Sequence, residues 1–422
     1  MRKSLSSLWL QSVRQLGKLG KVQARQGRKL LKNLLPATPR ATAKGRNHTP
    51  PQQALIDPLS GVASVPPLIE RAIRRTTRPA GQWSKAYFHP PAESLPAGTV
   101  AKRMGYWLYL PSRHASVAQG DADEPMPLVV MLHGCKQTAT DIATATRLNA
   151  LADRKGFAVL YPQQSVATDA HRCWHWYQRD TQQGGGDVAL IASLIDRVRE
   201  QHGLDASRIY LAGLSAGAAL ANLIALHHPA LIAAVGLHSA PVFGTTDSPV
   251  SAYRAMQHGA MLLNSEAARE FARAAPQFPG MPTIVIHGDG DSVVRRINAR
   301  QLVEQMHIVN APWISSEHPV ARHHAGRAGG RSPRHGYRSL TYYAGRKPYL
   351  VQCDIESLGH AWSGGDGSVD YSTPAGPNAT LMMWNFFALH RRLPAASPPQ
   401  AGAGAPVEMR AVSPVTATEA TA

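Results

Sequence analysis

Seven short apolar runs punctuate the middle of the chain, at residues 105–111, 127–133, 157–162, 207–212, 233–238, 282–287 and 349–356. They are too short for buried helices and are bounded by Gly, Pro and Asp, so they read as strands. Runs such as Leu128-Val129-Val130-Met131-Leu132 show no polar alternation, which marks strands covered on both faces. Between them, helical patterns fall near 140–155, 187–202, 217–228, 296–309 and 377–391. The second of these follows Gly184-Gly185-Gly186 and takes Asp187 as its N-cap. Alternating strands and helices predict an α/β fold, a mostly parallel sheet with helices on both faces.

Candidate chemistry sits where these runs end. The run from Ile209 feeds Gly213-Leu214-Ser215-Ala216-Gly217 and then an alanine- and leucine-rich helix. A Gly-x-Ser-x-Gly turn between strand and helix is a nucleophile elbow, in which the glycines make room for the bend and the serine hydroxyl stands exposed. Serine is a weak nucleophile unless an imidazole takes its proton, and a carboxylate must orient that imidazole. The run at 282–287 leads into Asp289-Gly290-Asp291, and the run at 349–356 leads into Gly359-His360. This is the chain order acid then histidine. Asp291 is the candidate acid, with Asp289 as its rival, and His360 is the candidate base. The run at 127–133 ends in His133-Gly134-Cys135, where the first oxyanion loop belongs, so the backbone N–H groups of Cys135 and Ala216 are the candidate oxyanion donors.

Taken together, the blocks His133-Gly134-Cys135-x-Gln137, Tyr161-Pro162, Cys173-Trp174-x-Trp176, Asp187-Val188, Gly213-Leu214-Ser215-Ala216-Gly217, His287-Gly288-x-x-Asp291-x-x-Val294 and Gly359-His360-Ala361-Trp362-Ser363-Gly364-Gly365 resemble the poly(3-hydroxybutyrate) depolymerase-like esterases, in that family's order. The resemblance covers roughly residues 100 to 392. It implies an α/β-hydrolase fold in a single catalytic domain, with Ser215, Asp291 and His360 as triad and Cys135 as an oxyanion donor. It also implies a serine esterase for polyhydroxyalkanoate or its oligomers, with feruloyl and acetylxylan esterases as related alternatives. No cofactor or metal is expected. His175 stands where the family usually has Asn between the two tryptophans. The family's secreted polymer degraders usually add a substrate-binding domain, and its lack here favours oligomers, amorphous polymer or small esters. Trp174 and Trp176 are candidate walls of the acyl pocket, and Trp362 is either a wall or a core anchor.

Of three cysteines, Cys353 sits in an apolar run as a buried thiol. Cys135 and Cys173 flank site blocks and are the pair a disulfide would join in an oxidising compartment. The basic stretch from Arg322 to Arg338, with His323, His324 and His335, reads as a solvent-facing insertion that gathers anions.

Charge changes the picture at the N-terminus. Residues 1–50 hold twelve Lys or Arg and no acid, against a net charge of +18 for the whole chain. Leu5, Leu8, Trp9, Val13, Leu16 and Leu19 recur at near-helical spacing among them, so the segment is either a basic amphipathic helix suited to a granule or anionic membrane surface, or a solvated tail. Nucleic acid is a less favoured partner, because it would leave the triad unexplained. A peptidase on the same scaffold is also less favoured, since its usual propeller or cap domain has no room. The expected organisation is a basic arm at 1–50, a lead-in at 51–99, the catalytic domain at 100–392 and a Pro/Ala/Gly/Thr tail at 393–422. The resemblance points outside the cell, but the early apolar positions form no continuous signal region, so a cytoplasmic or granule-associated enzyme is the alternative.

Overall fold

In the computed structural model, which describes residues 79–90, 103–112, 124–260, 264–316, 318–327 and 334–392, the seven apolar runs are all strands of one sheet. Ten strands compose it: β1 (Gln82–Phe88), β2 (Met104–Leu110), β3 (Leu128–Leu132), β4 (Ala158–Gln163), β5 (Ile209–Leu214), β6 (Ala234–His238), β7 (Thr283–Gly288), β8 (Val320–His324), β9 (Tyr337–Ala344) and β10 (Lys347–Ile355). Their spatial order is β1-β2-β4-β3-β5-β6-β7-β10-β9-β8. The six central strands are parallel, and antiparallel pairs close both flanks.

Helices cover both faces, as a parallel sheet requires. They are α1 (Ala139–Thr146), α2 (Leu148–Lys155), α3 (Arg179–Gln182), α4 (Gly186–His202), α5 (Ala216–His227), α6 (Pro249–His258), α7 (Asn264–Ala274), α8 (Ile297–Val309) and α9 (Ala379–Phe387). Successive residues of β3 point to opposite faces. Leu128, Val130 and Leu132 pack with α4, α5 and α8, while Val129 and Met131 pack with α1, α2 and α9.

Several sequence expectations change. The helix expected at 140–155 is two helices, because Arg147 adopts a left-handed conformation (φ 53°) between α1 and α2. Asp187 does not cap α4. Gly185 holds that position, and the Asp187 carboxylate instead accepts from the His175 amide (2.8 Å) and the Gln164 side chain (3.3 Å). The sheet begins inside the expected lead-in, with β1, and the basic stretch is bracketed by the edge hairpin β8–β9 rather than being loop throughout. Residues 1–50 and 393–422 lie outside the described residues, and with them the possible amphipathic helix and the tail. Among the described residues, no helix is long and apolar enough to cross a membrane.

Candidate active site

Ser215 occupies the tight corner between β5 and α5 at φ 57° and ψ −121°, a conformation that side chains rarely adopt. Its amide donates to the His238 carbonyl (2.9 Å), and its carbonyl accepts the Ala219 amide (3.0 Å), which fastens the corner from both sides. A Cβ on Gly213 would drive into the Gly217 backbone, and one on Gly217 into the carbonyls of Leu132 and His133. The glycines therefore allow the backbone crowding that turns the serine outward.

Asp291 follows β7 and His360 follows β10, two adjacent parallel strands whose ends lie side by side. The His360 Nδ1–H donates to Asp291 Oδ2 at 2.7 Å. Asp291 is buried, and its Oδ1 accepts the amides of Val293 and Val294, each at 2.9 Å. Burial pushes this carboxyl up, but the charge and hydrogen bond of His360, together with His287 and the Val294 amide, outweigh it and hold the pKa at about 2. Asp289 has a different task. Its Oδ1 accepts the Ser357 amide (2.6 Å) and its own amide reaches the Ile355 carbonyl (3.0 Å), so it clamps the turn that carries His360.

The turn that carries Cys135, the candidate oxyanion donor, leaves β3. The Gly134 amide is tied to Gln137 Oε1 (2.9 Å) and the Lys136 amide to the His171 carbonyl (2.6 Å). Among the described residues, the Cys135 and Ala216 amides donate to no other backbone or side-chain group. A capping box on Thr138 and Asp141 starts α1 just beyond and anchors the turn. Cys135 is joined by a disulfide to Cys173, the pairing the sequence had left open, while Cys353 is a buried free thiol whose pKa burial raises.

Ser215, His360 and Cys135 line one cavity of about 110 Å³. Of the two tryptophans expected as walls, Trp176 lines it. Trp174 does not: it is fully buried, and its Nε1–H donates to the His133 carbonyl (2.9 Å), bracing the end of β3. Trp362 is likewise a core anchor, stacked on His238 and bonded to Thr380. Sequence reasoning missed the opposite wall, where α6 presents Pro249, Ala252, Tyr253 and Met256 to the cavity. Their i, i+3, i+4, i+7 spacing was the available signal. Tyr177, Val293 and Tyr371 complete the apolar lining. Among the described residues, no group of His, Cys, Asp and Glu is placed to hold a metal ion.

Delivery of Cys135, Ser215, Asp291 and His360 by the C-terminal ends of parallel strands is the organisation of an α/β-hydrolase. The acetyl xylan esterase from Aspergillus awamori shares that fold, with a TM-score of 0.50 at 20% identity over 61% of this chain and 89% of its own. Within the class, the chain belongs to the esterase PHB depolymerase family, whose sequence profile matches residues 104–326. Poly(3-hydroxyalkanoate) depolymerase C of Paucimonas lemoignei is 32% identical over 183 residues, 42% of this chain and 44% of that protein. Acetylxylan esterase A of Emericella nidulans is 32% identical over 139 residues, 32% and 42% of the two chains. Feruloyl esterase B of Thermothelomyces thermophilus is 27% identical over 194 residues, 43% and 65% of the two. The chain spans about half the length of these curated relatives.

Proposed function

We propose that the protein is a serine carboxylic-ester hydrolase acting on polyhydroxyalkanoate or its short oligomers. The observation that carries this reading is the 2.7 Å bond from His360 to a buried, ionised Asp291, with His360 and a strained Ser215 facing the same apolar cavity. The His360 Nε2 takes the Ser215 proton as Oγ attacks the ester carbon, and the developing oxyanion is received by the Cys135 and Ala216 amides. Collapse breaks the bond to the alcohol oxygen, which leaves with the proton from His360. Water, deprotonated by the same imidazole, then releases the acid and restores the serine.

The mainly apolar walls favour an aliphatic acyl group, and the similarity to depolymerases supports the same class. A second reading, an esterase for feruloyl or acetyl groups on plant polysaccharide, is supported by the similarity to proteins named for those activities. The Cys135–Cys173 disulfide supports an oxidising compartment, and so a secreted enzyme. The deciding experiment is hydrolysis of p-nitrophenyl acetate to octanoate, 3-hydroxybutyrate oligomers, amorphous polymer and methyl ferulate, with Ser215→Ala alongside. Hydroxybutyrate turnover lost in the variant is expected. Preference for ferulate or acetylated sugar moves the assignment to the second reading, and full activity in Ser215→Ala overturns both.

A further inference from the structure

We propose that His287 is a positioning residue that keeps Asp291 aimed at His360 by tying down the loop on which Asp291 stands. The inference rests on the triad of the ester-hydrolase reading above and adds a group behind its acid. His287 is the penultimate residue of β7, fully buried, in a strand whose other residues are Thr, Ile, Val and Gly. A ring with two polar atoms is costly in such a place unless its hydrogen bonds are made.

Its contacts supply the reason. The His287 Nε2 lies 2.8 Å from the Val294 carbonyl, and since a carbonyl only accepts, Nε2 carries the proton and donates it. The same atom lies 3.7 Å from Asp291 Oδ2, too far for a second hydrogen bond but close enough for the N–H dipole to favour the carboxylate charge. Val294 passes the support on, because its amide donates to Asp291 Oδ1 at 2.9 Å beside the amide of Val293. A closed circuit thus runs from His287 through both polar groups of Val294 to Oδ1, which leaves Oδ2 for His360 at 2.7 Å. Among the described residues, the His287 Nδ1 has no hydrogen-bond partner, so Val294 alone fixes the tautomer.

The groups around the ring keep it neutral. Asp291 faces it from its own loop, Asp354 lies opposite it on β10 and is bonded to Arg296 (2.8 Å), and His360 and His238 stand nearby. Burial lowers the pKa of His287 and outweighs both carboxylates. A cation there would compete with His360 for Asp291, whereas the neutral ring contributes only a dipole. Without its donor the buried Val294 carbonyl loses its partner, and the amide that fixes Oδ1 shifts with it. His287 does not line the cavity, so kcat rather than KM should register the change.

The test is steady-state hydrolysis of p-nitrophenyl butyrate by the full chain. His287→Leu and His287→Asn, neither of which carries a donor to the Nε2 position, should lower kcat roughly 10–100-fold with KM within about twofold. His287→Gln, which restores an N–H at that position, should recover most of kcat. In an Asp291→Asn background the same replacements should cost no more than about twofold, because the carboxylate they aim is already gone. Circular dichroism identifies any variant that has lost its fold, and the comparison is then carried by the other donor-less variant. Unchanged kcat in folded His287→Leu or His287→Asn, no recovery in His287→Gln, or an undiminished loss in the Asp291→Asn background overturns the inference, while Ser215-dependent turnover by the wild type leaves the esterase reading standing. Wild-type turnover that survives Ser215→Ala overturns both.

Discussion

In the proposed mechanism, replacing Asp291 with Asn removes the carboxylate charge that would steady a His360 imidazolium, whose Nδ1–H meets Oδ2 at 2.7 Å. Asp291→Asn should lower kcat roughly 10²–10⁴-fold with a smaller effect on KM, whereas Asp289→Asn should retain substantial activity, because its carboxylate serves the Ser357 amide. Steady-state kinetics on one p-nitrophenyl ester check both. Two other histidines set the acid limit. Burial lowers His133 to about 4 and His238 to about 3 from 6.5, so below pH 6.5 the unfolded chain binds protons that the folded chain refuses. Stability should fall as pH drops from 6.5 towards 4, by on the order of 2–3 kcal/mol per histidine. Thermal unfolding at pH 7 and pH 5 checks this, and an unchanged Tm would contradict it. Spacing along the chain proposed Ser215, Asp291 and His360 because each lies at a strand exit, and the fold brings Asp291 and His360 within 2.7 Å of each other. It could not separate Trp174 from Trp176, since both are buried and only the long-range bond to His133 distinguishes them.

At the scale of elements, the Cys135–Cys173 link fastens the turn after β3, the proposed oxyanion turn, to the segment that carries His171 and Trp176. The cysteines lie 38 residues apart, and closing a loop of that length restricts the unfolded chain by about 3–4 kcal/mol. Dithiothreitol should therefore lower stability by up to that amount, and it should depress kcat more than it raises KM if the Cys135 amide loses its aim. Unfolding curves and kinetics with and without reductant measure both effects. The central strands were legible because both their faces are apolar. The flanking strand β1 was not, because its Gln82-Trp83-Ser84-Lys85 start mixes polar and apolar residues on an edge that solvent reaches. The break at Arg147 has no local signal, since neither Gly nor Pro marks it and its left-handed turn comes from the two helices packing separately. The α6 wall was missed because no helix was expected over Pro249–His258, so the spacing of its apolar residues was not read.

Across the whole molecule, the basic segment 1–50 and the catalytic sheet are separable in charge and in chemistry. Removing residues 1–50 should leave kcat/KM on a soluble p-nitrophenyl ester within about twofold and weaken sedimentation with anionic phospholipid vesicles in low salt. Vesicle binding that is unaltered by the deletion would assign the surface affinity elsewhere. The order of the strands carries one last consequence. Ser215 leaves the fifth strand, whereas its proposed base, His360, follows β10 and comes about 145 residues later in the chain than the serine. On the proposed assignment, a polypeptide still emerging from the ribosome carries its nucleophile long before its base. Such a chain would acquire catalytic competence only late in synthesis, once that final central strand is in place.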